Sequence, residues 1–179
     1  MTVELATGDA RAVLAGRPEG SVHMCVTSPP YWNLRKYAGA QDVEWSDGTT
    51  HALGLEPTPE LYIAHLVECF AAVKRVLRDD GVLFCNVGDS YASGGATSGG
   101  YSAKSTLQGY SSENTKGRQM NRAEEYRPRQ SGCKQKDCIG IPWLLAFALR
   151  ADGWYWRDSI VWAKGASFCA HTKIGRAHV

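Results

Sequence analysis

The sequence predicts an α/β fold in which parallel strands carry helices on their faces. Two runs of strand length, Val22-His23-Met24-Cys25-Val26-Thr27 and Val82-Leu83-Phe84-Cys85-Asn86-Val87, show little polar alternation, which is typical of buried parallel strands. A stretch with helical periodicity lies between them. A parallel pair of strands needs a crossover of this kind, so the order of elements favours a parallel sheet.

The first thirty residues predict a strand, a short helix, a turn and a second strand. Val3-Glu4-Leu5-Ala6 is expected to be a strand that ends at Gly8-Asp9, and Ala10 to Leu14 a short helix. Arg17-Pro18-Glu19-Gly20 has the composition of a turn. The strand over 22–27 stops at two successive prolines, which neither continue a central strand nor open a regular helix. The chain therefore leaves the sheet there in a stiff, extended loop.

The middle of the chain predicts a loop followed by a long helix. Residues 32–57 are polar, aromatic and glycine-containing, and we interpret them as loop. Thr58 is a typical N-cap, and Pro59 stands at the first helical position. Apolar residues then recur at spacings of three and four, at Tyr62, Leu66, Phe70, Val73 and Leu77. The helix is expected to end at Asp79-Asp80-Gly81, with Gly81 as its C-terminal cap.

The chain changes character after the strand over 82–87. The segment from Ser90 to Ser112 holds five Gly and seven Ser in 23 residues, lacks apolar content and is expected to be mobile. A helix is expected over Trp143 to Arg150, with Gly153 ending it. Residues 154–162 are rich in aromatic and β-branched side chains, so a further strand is expected there.

Polar motifs follow three of the predicted strands. They are Gly8-Asp9, Ser28-Pro29-Pro30-Tyr31 and Gly88-Asp89-Ser90-Tyr91. Because ligands of open parallel sheets bind beyond the carboxyl ends of the strands, we expect these three motifs to converge at one edge and to form the site.

Composition and charge narrow the class of protein. The 179 residues suit one domain, and 44% of them are hydrophobic. No apolar run of about 18 residues exists to span a membrane, and no secretory signal is visible, so a cytoplasmic location is expected. The six cysteines are irregularly spaced and form no C-x-x-C pair, so no metal site is predicted.

A net charge of +2 is distributed unevenly. Eight Lys/Arg between Lys104 and Lys136 are opposed by three Glu, which leaves a local balance of +5. Such a segment either tracks the phosphates of a nucleic acid or forms a solvated basic loop. If it binds DNA, the residues expected to do so are Arg118, Arg122, Arg127 and Arg129.

The Ser28-Pro29-Pro30-Tyr31 loop suits the binding of a planar amine. Proline has no N–H, so this loop presents carbonyl acceptors, and the Ser28 hydroxyl adds another. Tyr31 and Trp32 supply aromatic faces for stacking. The combination matches the exocyclic amino group of a nucleobase flipped out of its duplex. A turn that proline merely stiffens is the alternative interpretation.

Several motifs resemble those of one enzyme family. Thr27-Ser28-Pro29-Pro30-Tyr31-Trp32 is similar to the catalytic motif of the DNA methyltransferases that modify cytosine N4 or adenine N6. Other stretches similar to that family are Gly8-Asp9-Ala10, residues 54–59, residues 87–91, residues 139–143 and residues 152–164. The resemblance implies a Rossmann-like S-adenosylmethionine-dependent methyltransferase sheet and double-stranded DNA as substrate. It is also compatible with a restriction endonuclease as partner.

The resemblance also implies roles for single residues. The target amine would donate to the Ser28 side chain and to the carbonyl of Pro29 or Pro30, which aims its lone pair at the methyl group of S-adenosylmethionine. Tyr31 and Trp32 would stack on the base. Ser at the first motif position is associated mostly with cytosine N4 in the family, and Asp with adenine N6. Cytosine N4 is therefore expected here, with adenine N6 as the alternative.

The cofactor half of the site is less complete in this sequence. Asp9 resembles the acidic residue that meets the cofactor's adenine, and capping of the helix at Ala10 is its alternative role. The family's Phe-x-Gly-x-Gly loop is absent, and in the permuted motif order that this chain resembles it follows the part present here.

We therefore expect a C-terminally truncated methyltransferase. Residues 1–166 would be a partial catalytic domain with an insertion at about 92–137, and residues 173–179 a non-native tail. Such a fragment is not expected to bind S-adenosylmethionine with useful affinity alone. A non-catalytic DNA-binding fragment is the alternative of another class.

Overall fold

A computed structural model describes residues 3–33, 40–92, 132–134 and 137–162. Within these ranges the helices are α1 (Ala10–Ala15), α2 (Pro59–Val76) and α3 (Ile141–Ala151). The strands are β1 (Val22–Thr27), β2 (Val43–Glu44), β3 (Thr50–His51) and β4 (Leu77–Cys85). The mobile segment predicted after Ala92 and the tail predicted at 173–179 lie outside the described residues.

The sheet at the centre of the described chain is the parallel pair β1–β4. Cys25 pairs with Leu83 and Thr27 with Cys85, and α2 is the crossover that parallel pairing requires. This confirms a small parallel sheet in a mixed α/β chain. Within the described ranges the predicted burial is seen on one face of this pair. Alternate residues such as Val26 and Phe84 are 70% and 48% exposed, because only the opposite face of the pair is covered within the described ranges.

Helix α2 begins as the sequence predicts. Thr58 is its N-cap and accepts a hydrogen bond from the Leu61 amide at 3.2 Å, and Pro59 opens the first turn. The predicted end is wrong. The helix ends at Val76, where Leu77 turns extended and enters β4, so Gly81 does not cap it. Burial of the Leu77 side chain in the sheet outweighs the cap signal of the glycine.

The core lies between α2, α3 and the covered face of the sheet. It is built from buried apolar side chains: Trp32, Tyr62, Ile63, Leu66, Phe70, Ala92, Ile139, Ile141 and Leu145. Leu83 and Cys85 of β4 pack against this cluster. Cys85 behaves as the small apolar residue that the sequence predicts, since burial raises the pKa of its thiol to about 11.

Two predicted strands do not form. Residues 3–6 and 154–162 pair with no neighbouring strand among the described residues. Their apolar side chains lie in solvent, with Leu5 92% and Val161 85% exposed. A strand needs a ladder partner for its amides, so β propensity without such a partner leaves an extended segment.

The loop predicted over 32–57 contains one ordered feature. Strands β2 and β3 form a two-residue antiparallel pair, joined by a turn in which the Gly48 amide donates to the Trp45 carbonyl at 2.9 Å. The side chain of Trp45 is buried beneath this hairpin. Helices α1 and α3 otherwise agree with their predicted positions to within two residues at each end.

The α2 N-cap offers a direct test of how this helix is held. Replacing Thr58 by Ala removes the acceptor for the Leu61 amide and should lower the free energy of unfolding by about 1 kcal/mol. Urea denaturation measures the change, and Thr58→Ser, which keeps the hydroxyl, is the matched control. Equal stability of Thr58→Ala and the wild type would show that the cap does not hold the helix.

Candidate active site

The Ser28-Pro29-Pro30-Tyr31 loop starts at the carboxyl end of β1, as the sequence predicts. The Asn86 amide donates to the Thr27 carbonyl at 2.8 Å, which brings the segment after β4 alongside the loop. Ser28 is exposed, and Pro29 is half-buried. The Ser28 end of the motif is therefore accessible at the edge of the sheet, whereas the two prolines and Tyr31 are all half-buried.

The back of this loop is fixed by α2. The hydroxyl of Tyr62, which is fully buried, donates to the Pro30 carbonyl at 2.7 Å. Burial raises the pKa of Tyr62 well above its ordinary value, so the hydroxyl keeps its proton and remains a donor. Within the described ranges no protein donor reaches the Pro29 carbonyl. Of the two candidate acceptors, the Pro29 carbonyl is the one that no described protein group engages.

The Tyr31 ring packs against the segment that follows β4. Its ring covers Gly88, where an added Cβ would stand 2.6 Å from Cε2 of the tyrosine. The Tyr31 hydroxyl donates to the Asn86 side-chain oxygen at 3.3 Å. Glycine at position 88 is therefore required for the tyrosine to lie where it does, and the ring stays half-buried.

Trp32 occupies a different environment from Tyr31. It is only 2% exposed, and its indole N–H donates to the Glu56 carbonyl at 3.0 Å. Its own carbonyl accepts from the Ser90 hydroxyl at 2.8 Å. The ring is thus part of the core and cannot reach a base, which corrects the prediction that Trp32 stacks on one. Tyr31 stays as the predicted stacking residue.

Asp89, in the motif after β4, has a structural role. Its carboxylate accepts hydrogen bonds from the amides of Gly140 and Ile141 at 3.0 and 2.9 Å, at the start of α3. An acidic side chain at a helix N-terminus satisfies free amides and matches the helix dipole. The Cys138 thiol also donates to Asp89, which raises the pKa of that thiol. Asp89 therefore joins the end of the sheet to α3.

Asp9 acts as the N-cap of α1 in this structure, which is the alternative role that the sequence offers for it. It caps α1 by accepting from the Arg11 amide at 2.9 Å, and the Arg11 guanidinium donates to both of its oxygens. This pairing lowers the pKa of Asp9. Arg11 also pairs with Glu68 on α2. Because the chain before α1 is not a strand, Gly8-Asp9 does not follow a strand end as predicted.

The predicted convergence is thus realised for two of the three motifs, those after β1 and β4. The predicted DNA-binding residues Arg118, Arg122, Arg127 and Arg129 lie outside the described residues. In the part of the chain that the structure describes, no group of three His, Cys, Asp or Glu is placed to hold a metal ion. No helix in that part is long and apolar enough to cross a membrane.

Tyr62, Gly88 and Ser90 are site residues that the sequence did not assign. The sequence predicts Tyr62 only as part of the apolar face of the helix. Nothing in the spacing indicates which group its hydroxyl contacts. Gly88 and Ser90 belong to a motif that was recognised, but the contacts that they make with Tyr31 and Trp32 depend on the tertiary fold.

A proline-rich loop at a strand end, backed by a helix and flanked by an aromatic ring, is the kind of site that holds a flipped base. Comparison with known proteins agrees with this class. The family model described as DNA methylase, for N6 and N4 methyltransferases, matches residues 22–178. The chain belongs to this family of DNA amino-methyltransferases. No solved structure matches it significantly.

Curated relatives are Type II methyltransferases. The chain is 46% identical over 158 residues to M.XycI of Xanthomonas campestris pv. cyanopsidis and 44% identical over 158 residues to M.Cfr9I of Citrobacter freundii. It is 42% identical over 162 residues to M.SmaI of Serratia marcescens. These alignments cover 88–90% of this chain and 45–47% of the relatives. The chain therefore spans about half the length of the relatives that it matches.

The packing of Tyr31 on Gly88 is tested by adding a single methyl group. Gly88→Ala should push the ring away and lower the free energy of unfolding by about 1–3 kcal/mol, the usual cost of overpacking. Gly16→Ala is the matched control, because its Cβ would meet only the Val13 carbonyl at an ordinary 3.6 Å. Thermal unfolding compares the two variants. If Gly88→Ala is as stable as Gly16→Ala, Tyr31 does not lie on Gly88.

Proposed function

We propose that the full-length protein transfers a methyl group from S-adenosylmethionine to the exocyclic amino group of a base in double-stranded DNA, with N4 of cytosine as the first candidate. The proposal rests on one observation: among the residues that the structure describes, one acceptor of the loop is bonded to the protein, and two others are not. The Pro30 carbonyl already accepts from Tyr62, whereas Ser28 is exposed and the Pro29 carbonyl receives no donor from the described residues.

The residues of this chain would act by orientation. An amino group donates two hydrogen bonds, one to the Ser28 hydroxyl and one to the Pro29 carbonyl, which leaves its lone pair directed away from both. The Tyr31 ring would support the face of the base, and stacking of this kind is worth about 1–3 kcal/mol per base. No covalent intermediate with the enzyme is required, since the amine itself attacks.

The choice of cytosine N4 rests on Ser28. A serine hydroxyl is a neutral acceptor, and in related methyltransferases it accompanies cytosine more than adenine. Adenine N6 is the second candidate, because the same two acceptors and the same ring would also hold an adenine amino group.

S-adenosylmethionine supplies the methyl group when it is bound, but Asp9 is not poised to receive it. A carboxylate offers about four lone-pair positions, and Arg11 donors already make four contacts with those of Asp9. The described residues thus favour a target-amine site and leave Asp9 engaged with Arg11. A restriction endonuclease partner would fit the Type II relatives.

Residues 1–166 would form part of a larger catalytic domain. The uncovered face of β1 and β4 carries Met24, Val26, Val82 and Phe84, each at least 47% exposed. Apolar surface of this kind is normally covered, and the relatives are about twice as long as the matched segment. The remainder of the domain would pack on this face.

Ser28→Ala tests the proposed amine acceptor. Because Ser28 is exposed, the variant should fold like the wild type, while loss of one hydrogen bond to the amine should lower kcat of the full-length protein about tenfold. Ser21→Ala, at the other end of β1, is the matched control and should keep full activity. Methylation rates on duplex DNA decide between these outcomes. Equal rates for both variants would exclude Ser28 as an acceptor.

The modified base itself identifies the substrate. Nucleoside analysis of DNA from cells that carry the full-length gene should show N4-methylcytosine, and the Ser28→Ala gene should reduce it. N6-methyladenine alone would favour the second candidate. Absence of both modified bases would contradict the proposed function.

Cofactor binding by this chain alone should be weak. The family's glycine-containing cofactor loop is not in the sequence, and Asp9 is paired with Arg11. Calorimetric titration of the 179-residue chain with S-adenosylmethionine should therefore show no saturable heat at micromolar concentrations of cofactor. Tight binding would contradict the assignment of the missing cofactor half.

A further inference from the structure

Two buried ionisable side chains lie behind the proline loop and have no role in the proposed reaction. Glu56 is fully buried and His65 is 2% exposed. Ionisable groups are rarely placed in a protein interior without a partner, because removing a charge from water is costly. The two face each other, with Nδ1 of His65 and Oε1 of Glu56 separated by 3.1 Å.

Glu56 connects this pair to the turn that supports the loop. Its Oε2 accepts from the Gly54 amide at 2.8 Å, and its main-chain carbonyl accepts from the Trp32 indole. The Gly54 carbonyl in turn accepts from the Asn33 amide at 2.9 Å. Both ends of the segment from Gly54 to Glu56 are therefore bonded to the residues that follow Tyr31.

Gly54 also touches the motif directly. A Cβ at this position would stand 3.2 Å from the Pro30 and Tyr31 carbonyl oxygens, and its φ of +88° is one that glycine adopts without strain. The backbone of the turn therefore lies close to Pro30 and Tyr31. A shift of this turn would move Pro30 and Tyr31 with it.

His65 is held on its other side by the β2–β3 hairpin. Its Nε2 lies 3.3 Å from both the Asp47 carboxylate and the Thr49 hydroxyl oxygen. The Thr49 hydroxyl donates to Asp47, so it is an acceptor toward His65. The Trp45 ring stacks on the imidazole at 4.0 Å. Both ring nitrogens thus lie within hydrogen-bonding distance of side-chain oxygens.

We propose that Glu56 and His65 are positioning residues for the methyl transfer. The pair holds the Gly54–Glu56 turn against Pro30 and Tyr31 and so fixes the Pro29 carbonyl and the stacking ring, although neither side chain reaches the base. This inference rests on the proposed function. It implies that the β2–β3 hairpin, which contacts His65, affects the position of the loop.

The kinetic test uses neutral variants in the full-length protein. Glu56→Gln and His65→Gln should each lower kcat about tenfold or more, because a misplacement of 1 Å can cost about a hundredfold, while KM for DNA changes little. The double variant should lose no more than the worse single one, since breaking a buried pair costs more than replacing both partners. Glu60→Gln and His23→Gln, both exposed, are the matched controls and should keep wild-type rates.

Rates are expressed per folded molecule, at a temperature below the unfolding transition of every variant. Unchanged kcat in the folded single variants, or losses that only follow the folded fraction, would overturn the proposal.

Asp47→Asn provides a second variant if the core substitutions do not fold. Asp47 lies at the surface, and its loss should lower kcat by a smaller factor with the fold intact. Wild-type kcat in that variant would count against the proposal.

Amide hydrogen exchange provides a readout that does not depend on activity. In Glu56→Gln and His65→Gln the amides of Gly54 and Asn33 should exchange faster than in the wild type, while those of β1 remain protected. If the wild type does not methylate DNA but these amides respond, the proposed function fails and the mechanical coupling stands. If the amides do not respond, the coupling itself is wrong.

Discussion

The hydrogen bond from Tyr62 to the Pro30 carbonyl is the interaction on which the proposed site depends. It joins the middle of the proline loop to a helix whose inner face is the core of the described chain. The loop has few ways to be held, because its two prolines offer no amide donors. The helix therefore supplies a donor to the Pro30 carbonyl, and the Pro29 carbonyl is left without a donor among the described residues.

Other contacts reinforce the same loop from different directions. Gly88 provides the space in which Tyr31 lies, Ser90 holds the Trp32 carbonyl, and the Gly54–Glu56 turn supports the backbone from behind. These residues come from segments that are remote in sequence. The result is a short loop with its back fixed and its Ser28 end accessible, which is what preorganised binding of an amino group requires.

Local signals in the sequence predicted much of this arrangement. Thr58 and Pro59 located the start of α2, and the proline pair located the end of β1, since capping and proline chemistry act over a few residues. The family was predicted from the motif over Thr27 to Trp32 together with further motifs along the chain, and it is confirmed by the family match and the relatives. The predictions that were wrong concern residues whose structure depends on partners distant in the chain. The segments 3–6 and 154–162 have strand composition but no ladder partner, and Trp32 has a stacking ring but is buried by α2 and Glu56.

The central claim is that Ser28 and Pro29 receive the target amine while Tyr62 retains Pro30. A crystal structure of the full-length protein with a DNA duplex containing its site tests it most directly. The account predicts a flipped base whose amino nitrogen lies within hydrogen-bonding distance of Ser28 Oγ and the Pro29 carbonyl, with Tyr62 still bonded to the Pro30 carbonyl. An amino group bonded to the Pro30 carbonyl in place of Tyr62, or a base held away from this loop, would contradict it.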